Sequence, residues 1–358
     1  MEKEYYLSVS KASDLKKPRE RLVFRLFEIM PVFLSFAVLA SAVACSYFYP
    51  IVMSIFIICF VVFWFFRTVY FAYYLLAGYK KMEQHKNTNW IKKLDNLAVS
   101  DYKIPTKSWH DIYHLIVLPM YKESDEIVRE AIKSIKFCDY PKDKLIVVLG
   151  CEERAKGETS ETAKEMEREF GNSFYRFMIT WHPEDIVGEL AGKGSNETWA
   201  VKRAKEEIID KLNVPVENII FSSFDVDTCI YLGYFSCLTY KYLTVERPTR
   251  TSFQPIPLYI NNVWQAPAVS RIFSFSCTFW HTMNQERPEK LVTFSSHSMS
   301  FKALVDVGFK QTNIVPDDSR IFWQCFFQYD GDYRVEPLYY PLSMDANVAE
   351  TFPKTMLN

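Results

Sequence analysis

Apolar and polar positions along the chain fall into two regimes. From Ile29 to Tyr49 no residue carries a charge, a run long enough to cross a bilayer, and after Pro50 a second uncharged run extends from Ile51 to Phe66. Apolar character resumes past Arg67 through Leu76, so a second helix can cross with Arg67 snorkelling to an interface. The pair predicts a transmembrane hairpin; its alternative is a buried helical hairpin of a soluble protein. Beyond Tyr79 short β-branched runs alternate with charged stretches of helical period. A charged helix is expected from Lys80 to Leu97, then a turn at Pro105. A strand over His114–Pro119 precedes a helix capped by Ser124 and running to about Cys138, and a strand over Lys144–Leu149 completes a βαβ unit. Helices at Thr159–Phe170 and Glu197–Lys211 then alternate with strands at Phe174–Trp181 and Asn218–Phe224. Such alternation predicts an α/β fold, a mainly parallel, doubly wound sheet with helices on both faces.

Charge gives the hairpin a direction. The connection Ser46–Pro50 is uncharged, whereas Lys11, Lys16, Lys17, Arg19, Arg21 and Arg25 precede the first span and Lys80, Lys81, Lys86, Lys92 and Lys93 follow the second. The positive-inside rule therefore puts both ends in the cytosol. The expected division is a basic segment 1–28, the hairpin 29–77, a connector 78–110, a catalytic domain 111–345 and a tail 346–358. A net charge of -1 leaves no general nucleic-acid footprint, and 8 cysteines without a C-x-x-C spacing support neither a disulfide framework nor a zinc site. The 16% aromatic content suits a membrane or saccharide environment as well as a large core.

Candidate chemistry is concentrated after the fourth predicted strand. Asp225 and Asp227 stand at its carboxyl end, where open α/β sheets place ligands. Two carboxylates one residue apart suit Mg²⁺ or Mn²⁺ with a substrate diphosphate completing the shell. A second Asp-x-Asp, Asp330-Gly331-Asp332, reads as a turn. Lys193, between two glycines ahead of a helix, can meet a diphosphate, although Gly188–Ser195 is not a P-loop. Asp317 and Asp318 read either as helix-start carboxylates or as a general base, which calls for an apolar wall to raise its pKa; Phe322, Trp323 and Phe326 could supply that wall. His297 is a substrate contact or a turn cap. Trp264, Phe273, Phe275, Phe279 and Trp280 pack in the core, on a membrane interface or on a sugar.

The run Pro119-Met120-Tyr121-Lys122-Glu123, then Lys193-Gly194-Ser195-Asn196, then Asp225-Val226-Asp227, then Pro316-Asp317-Asp318, resembles the membrane-bound members of glycosyltransferase family 2, the group of cellulose, chitin and hyaluronan synthases. That resemblance implies a GT-A-like sheet binding a nucleotide-diphospho-sugar at its carboxyl edge, with Asp225 and Asp227 at the metal and diphosphate, Lys193 and Asn196 at the nucleotide, Glu123 in the base–ribose pocket and Asp318 as catalytic base. It implies an inverting transfer to an acceptor hydroxyl of a polysaccharide, another glycan or a lipid-linked acceptor, carried out on the cytosolic face by an integral multi-pass protein of the cell membrane in contact with its lipids. Transfer to a polyprenyl phosphate, and a catalytically silent nucleotide-sugar binder, are the alternatives.

The chain departs from that pattern in four places. Lys122 stands where Asn is usual. The Asp expected after the second strand is replaced by Gly150-Cys151-Glu152-Glu153, so Glu152 or Glu153 would take its part. Thr-Glu-Asp is here Pro316-Asp317-Asp318, and no Gln-x-x-Arg-Trp motif follows before Asn358, which fits a truncated chain or a shorter enzyme.

Overall fold

The computed structural model describes residues 7–346 and 348, so most of the expected tail 346–358 lies outside the described residues. The chain divides into two compact units at Leu76/Ala77. In the first, α1 (Pro18–Phe48) and the start of α2 (Pro50–Lys86) form two helices long and apolar enough to cross a membrane, and none of the α1 side chains is buried. Within α1, Pro31 leaves one turn without its backbone donor.

In the second unit α2 ends at Lys86, and α3 (Trp90–Asp95) starts anew because the Asn89 side chain accepts the Lys92 N–H at 2.9 Å. The single helix expected over Lys80–Leu97 is thus two, broken by a cap. The sheet follows. β1 (Tyr113–Met120), β2 (Leu145–Glu152), β3 (Arg176–His182) and β4 (Ile219–Ser223) pair in parallel in the order β3-β2-β1-β4. Their connections are α4 (Asp125–Lys136), α5 (Lys156–Phe170) and α6 (Lys193–Ala204), the last extended by a π turn at Lys205–Ile209. A mixed half completes the sheet. β7 (His297–Ser300) runs antiparallel to β4 and to β6 (Thr251–Tyr259), while β8 (Arg334–Met344) runs parallel to β6 and carries the short β5 (Cys229–Ile230) on its edge.

The alternation of β1 accounts for the layers. Ile116, Leu118 and Met120 pack with α4, α5 and α7 (Tyr234–Thr244), whereas Leu115 and Val117 pack on the other face with α6, α9 (Phe301–Asp306) and α10 (Asp317–Gln328). Period-two placement of consecutive apolar residues on opposite faces requires helices on both. The expected α/β class, mainly parallel with helices on both faces, is what forms. Another helix, α8 (Ala268–Asn284), lies against β6.

Candidate functional site

Four segments converge at the carboxyl end of the parallel strands: the turn after β4, the N-terminus of α6, the loop before β7 and the first turn of α10. β4 stops at Ser223 and the Phe224 N–H still reaches Val117 O at 3.1 Å, so the chain leaves the sheet with Asp225 half-buried. The loop ahead of β7 then fixes it. The Asp225 N–H donates to Ser296 Oγ at 3.0 Å, and Ser295 Oγ donates to the Asp225 carboxylate. Asp227 points the other way, accepting the Asp345 N–H at 3.1 Å on Oδ2 and leaving Oδ1 buried without a hydrogen-bond partner.

Lys193 opens α6 and joins the parts. Its ammonium lies 2.7 Å from Asp225 Oδ1 and 2.9 Å from Asp318 Oδ2. Asn196, one turn on, donates to Gly150 O at 2.8 Å; a Cβ at position 150 would come within 2.9 Å of Asn196 Oδ1, so glycine there permits the helix to seat against β2. Beneath Lys193 a second ammonium is buried. Lys310 donates to Glu197 at 2.9 Å, Asp317 at 3.1 Å, Asp318 at 3.0 Å and Ser223 Oγ at 2.9 Å.

These contacts decide the charges. Burial works against both ammoniums, but their carboxylate partners outweigh it and hold Lys193 and Lys310 protonated well above the usual range. Burial would likewise raise Asp318, yet Lys310 and Lys193 prevail and keep it ionised. The expected apolar wall that raises this carboxyl is therefore corrected: Phe322 faces the core, Trp323 is 42% exposed against Phe322 and Phe326, and two cations flank Asp318 instead. Asp227 moves oppositely, pushed up to about 7 by burial and then by the nearby Asp225 and Asp345.

Two cavities meet at this junction. One, of about 400 Å³, is lined by Glu123, Glu152, Asn196, Asp225, Asp227 and Asp345 among others; the second, of about 520 Å³, holds Asp317 and Asp318 under the apolar walls of Phe294, Ile314 and Val315, and Lys193 and Asp225 belong to both. Of the residues singled out in the sequence, Glu123, Lys193, Asn196, Asp225, Asp227 and Asp318 are brought together. Glu123 accepts the Tyr121 N–H at 2.7 Å. Glu153 is exposed and outside these linings, where Glu152 stands paired with Arg154. Trp323 lines neither cavity. His297 is fully buried below them, its Nδ1 at 3.0 Å from Ser295 O, and is kept neutral with a pKa pushed down to about 3, by burial first and then by Lys310.

Sequence reasoning missed Lys310, Glu197, Ser295 and Asp345. Glu197 lies four residues after Lys193, one helical turn along the same face, and Asp345 follows a strand end as Asp225 does; those spacings were the available signals.

Two places are acidic enough for a divalent cation. Oxygens of Glu197, Asp317 and Asp318 all lie within 4.8 Å of one another, but Lys310 is bonded to all three, so the cation there is the protein's own. The Asp225–Asp227 turn fits a hard ion better, with oxygen donors, an orphaned carboxylate oxygen and an acid whose ionisation is resisted by burial and then by its acidic neighbours.

Replacing Lys310 by Met strands buried carboxylates, and we expect a loss of stability of about 3–5 kcal/mol, the usual result of removing one partner from a buried pair, read as a large drop in Tm. Asp227 behaves otherwise. Between its ordinary value of 3.8 and about 7 the unfolded chain ionises while the folded one keeps the proton, so stability falls as pH rises through that window and is level above it. In EDTA, Asp227→Asn is expected to raise Tm at pH 8, with the gap closing as pH falls to 4.

No protein-family model and no curated protein matches the chain. Among solved structures it is similar to the mannosyltransferase PcManGT from Pyrobaculum calidifontis in complex with GDP-Man and Mn²⁺, at 15% identity and a TM-score of 0.47 over 80% of this chain and 69% of that one. It is also similar to TarS 1–349 from S. aureus (14%, TM-score 0.42, 65% of this chain) and to GalNAc-T7 with UDP, GalNAc and Mn²⁺ (6%, TM-score 0.42, 66% of this chain). The chain spans 60% and 44% of the lengths of these last two, under two thirds of each.

Proposed function

We propose that the chain is a membrane-anchored, GT-A-like inverting glycosyltransferase that moves a sugar from a nucleotide-diphospho-sugar to an acceptor hydroxyl on the cytosolic face. One observation carries the reading: Lys193 bridges Asp225 and Asp318, and so joins a cavity bearing an Asp-x-Asp turn to a second cavity bearing an ionised carboxylate. On this reading the first cavity takes the donor and the second the acceptor. Glu123, Glu152 and Asn196 lie where the nucleoside would lodge. Asp225 and Asp227 would hold Mg²⁺ or Mn²⁺, whose charge offsets that of the departing diphosphate.

Asp318 accepts the proton of the acceptor hydroxyl as its oxygen attacks the anomeric carbon from the face opposite the leaving group, and a single displacement inverts the centre. In its paired state Asp318 is a weak base, because two ammoniums stabilise its charge. A donor diphosphate competes for Lys193. Drawing that ammonium away weakens one of the two pairs and makes Asp318 more basic when a donor is in place. Two helices long and apolar enough to cross a membrane support the anchor, and the basic flanks of the two spans favour a cytosolic catalytic unit. The pairing of Asp318 with two lysines also suits a silent nucleotide-sugar binder, and the same experiment separates the two.

Purified in detergent with Mn²⁺ or Mg²⁺ and offered a panel of nucleotide sugars, the protein is expected to release nucleoside diphosphate from one donor. Asp318→Asn should cut turnover by about 10²–10⁴-fold, the worth of a positioned general base, with nucleotide binding retained, and Asp227→Ala should abolish metal dependence. Metal-dependent nucleotide binding without turnover of any donor would instead establish the silent binder.

A further inference from the structure

The turn ahead of β7 grips Asp225 through a residue in an unfavourable backbone conformation. Ser295 has φ +47°, in the left-handed region that a residue with a side chain keeps only where its surroundings impose it. From there its Oγ donates to Asp225 Oδ2. Ser296, the next residue, accepts the Asp225 N–H on Oγ at 3.0 Å, and that oxygen lies 2.7 Å from Thr228 Oγ1. The two serines thus hold the carboxylate and the backbone of Asp225 together.

Two buried side chains impose the conformation. Gln254 of β6 accepts the Phe294 N–H at 2.9 Å and donates to Phe294 O at 3.1 Å, which anchors the residue before Ser295. His297, paired across the sheet with Ser223 at the end of β4, brings Nδ1 to 3.0 Å from Ser295 O. A carbonyl oxygen only accepts, so Nδ1 carries the proton of the neutral ring and Nε2 is a bare acceptor. That Nε2 is buried without a hydrogen-bond partner, which costs the fold. Leucine at this position would avoid the cost. What the imidazole supplies that leucine cannot is the N–H on Ser295 O.

We propose that His297 is a positioning residue for the Asp225–Asp227 turn: its Nδ1–H holds Ser295 in the left-handed conformation from which the Ser295 hydroxyl orients the Asp225 carboxylate. This role rests on the metal-binding part given to that turn in the proposed function. The imidazole stands two hydrogen bonds away from the carboxylate, as the partners that orient metal ligands commonly stand behind them. Its value lies in what persists during binding. Lys193, on Asp225 Oδ1, is a flexible side chain for which a diphosphate competes, whereas Ser295, on Oδ2, is fixed through its own backbone. With Ser295 released, Asp225 would turn freely as a cation arrives, and affinity would fall.

The test is binding of Mn²⁺ alone to the full chain in detergent at pH 8, followed by loss of the free-ion EPR signal, with Tm recorded for every variant. Asparagine places its amide nitrogen where Nδ1 stands in histidine, one bond beyond Cγ, so His297→Asn restores the bond to Ser295 O. Glutamine places its amide where Nε2 stands, and leucine has none. Wild type and His297→Asn are expected to bind Mn²⁺ alike, and His297→Gln, His297→Leu and Ser295→Ala to bind it about 10–100-fold more weakly, the usual effect of losing a partner that orients a ligand. Asp227→Ala should abolish binding. His297→Gln carries the comparison should the leucine variant fail to melt cooperatively. Wild-type affinity in the Gln and Leu variants, with Asp227→Ala still inactive in binding, would overturn the role of His297 and leave the metal site standing. Equal losses in Asn, Gln and Leu would also overturn it, because the effect would then follow the bulk of the ring. Wild-type affinity in Ser295→Ala would overturn the route through that hydroxyl. A wild-type protein that takes up no Mn²⁺ would remove the metal role of the turn, and this role with it.

Discussion

The arrangement of the candidate site depends on one buried ammonium. Lys310 is 3% exposed, and its four acceptors come from α6, β4 and the first turn of α10. Neither α6 nor α10 could bring its carboxylates to this depth alone, since an unpaired buried charge costs several kcal/mol. The lysine therefore acts as a structural cation. It sets the pitch of α10 against α6, and that pitch fixes where Asp318 stands relative to Lys193 and, through it, Asp225.

Much of the fold was legible because strands buried on both faces are written as continuous β-branched runs. β1 and β4 lie within one residue of the expected His114–Pro119 and Asn218–Phe224 at either end, and β2 begins one residue after the expected Lys144 and runs on past Leu149 to Glu152. The mixed half was not legible. Pro255, Pro257, Pro337 and Pro341 argue against internal strands, yet β6 and β8 accommodate them through a register shift between Gln254 and Ile256 and a positive φ at Tyr339. β7 is Ser-rich and short, and is held in place by contacts such as the 2.8 Å bond between Ser222 and Ser298.

The site divides along the same line. Asp225, Asp227, Lys193 and Asn196 were legible because each sits at the end of an element whose type could be read locally. Lys310 was not, because its position in the loop after α9 resembles any solvated lysine until the fold folds that loop beneath α6. The pKa of Asp318 was misjudged for the same reason: an aromatic-rich helix suggested an apolar wall, whereas the residues that touch the carboxylate come from α6 and that loop, and both are lysines.

Charge balance distinguishes the two acidic places better than proximity does. Around the junction carboxylates outnumber ammoniums: Glu197, Asp225, Asp227, Asp317 and Asp318, with Asp345 beside Asp227, face Lys193 and Lys310. The excess is not shared evenly. At the Lys310 end Glu197, Asp317 and Asp318 share an ammonium within hydrogen-bond reach, and Asp318 has a second one. At the other end Asp225 shares Lys193, and Asp227 escapes the excess by staying protonated up to about 7, beside Asp345. A carboxylate kept neutral by burial first and then by acidic neighbours is a place where a bound cation would lower the energy of the group, since it would let the proton leave. On the proposed reading a mobile cation would sit at the turn after β4, and the fixed one, Lys310, holds the frame around it.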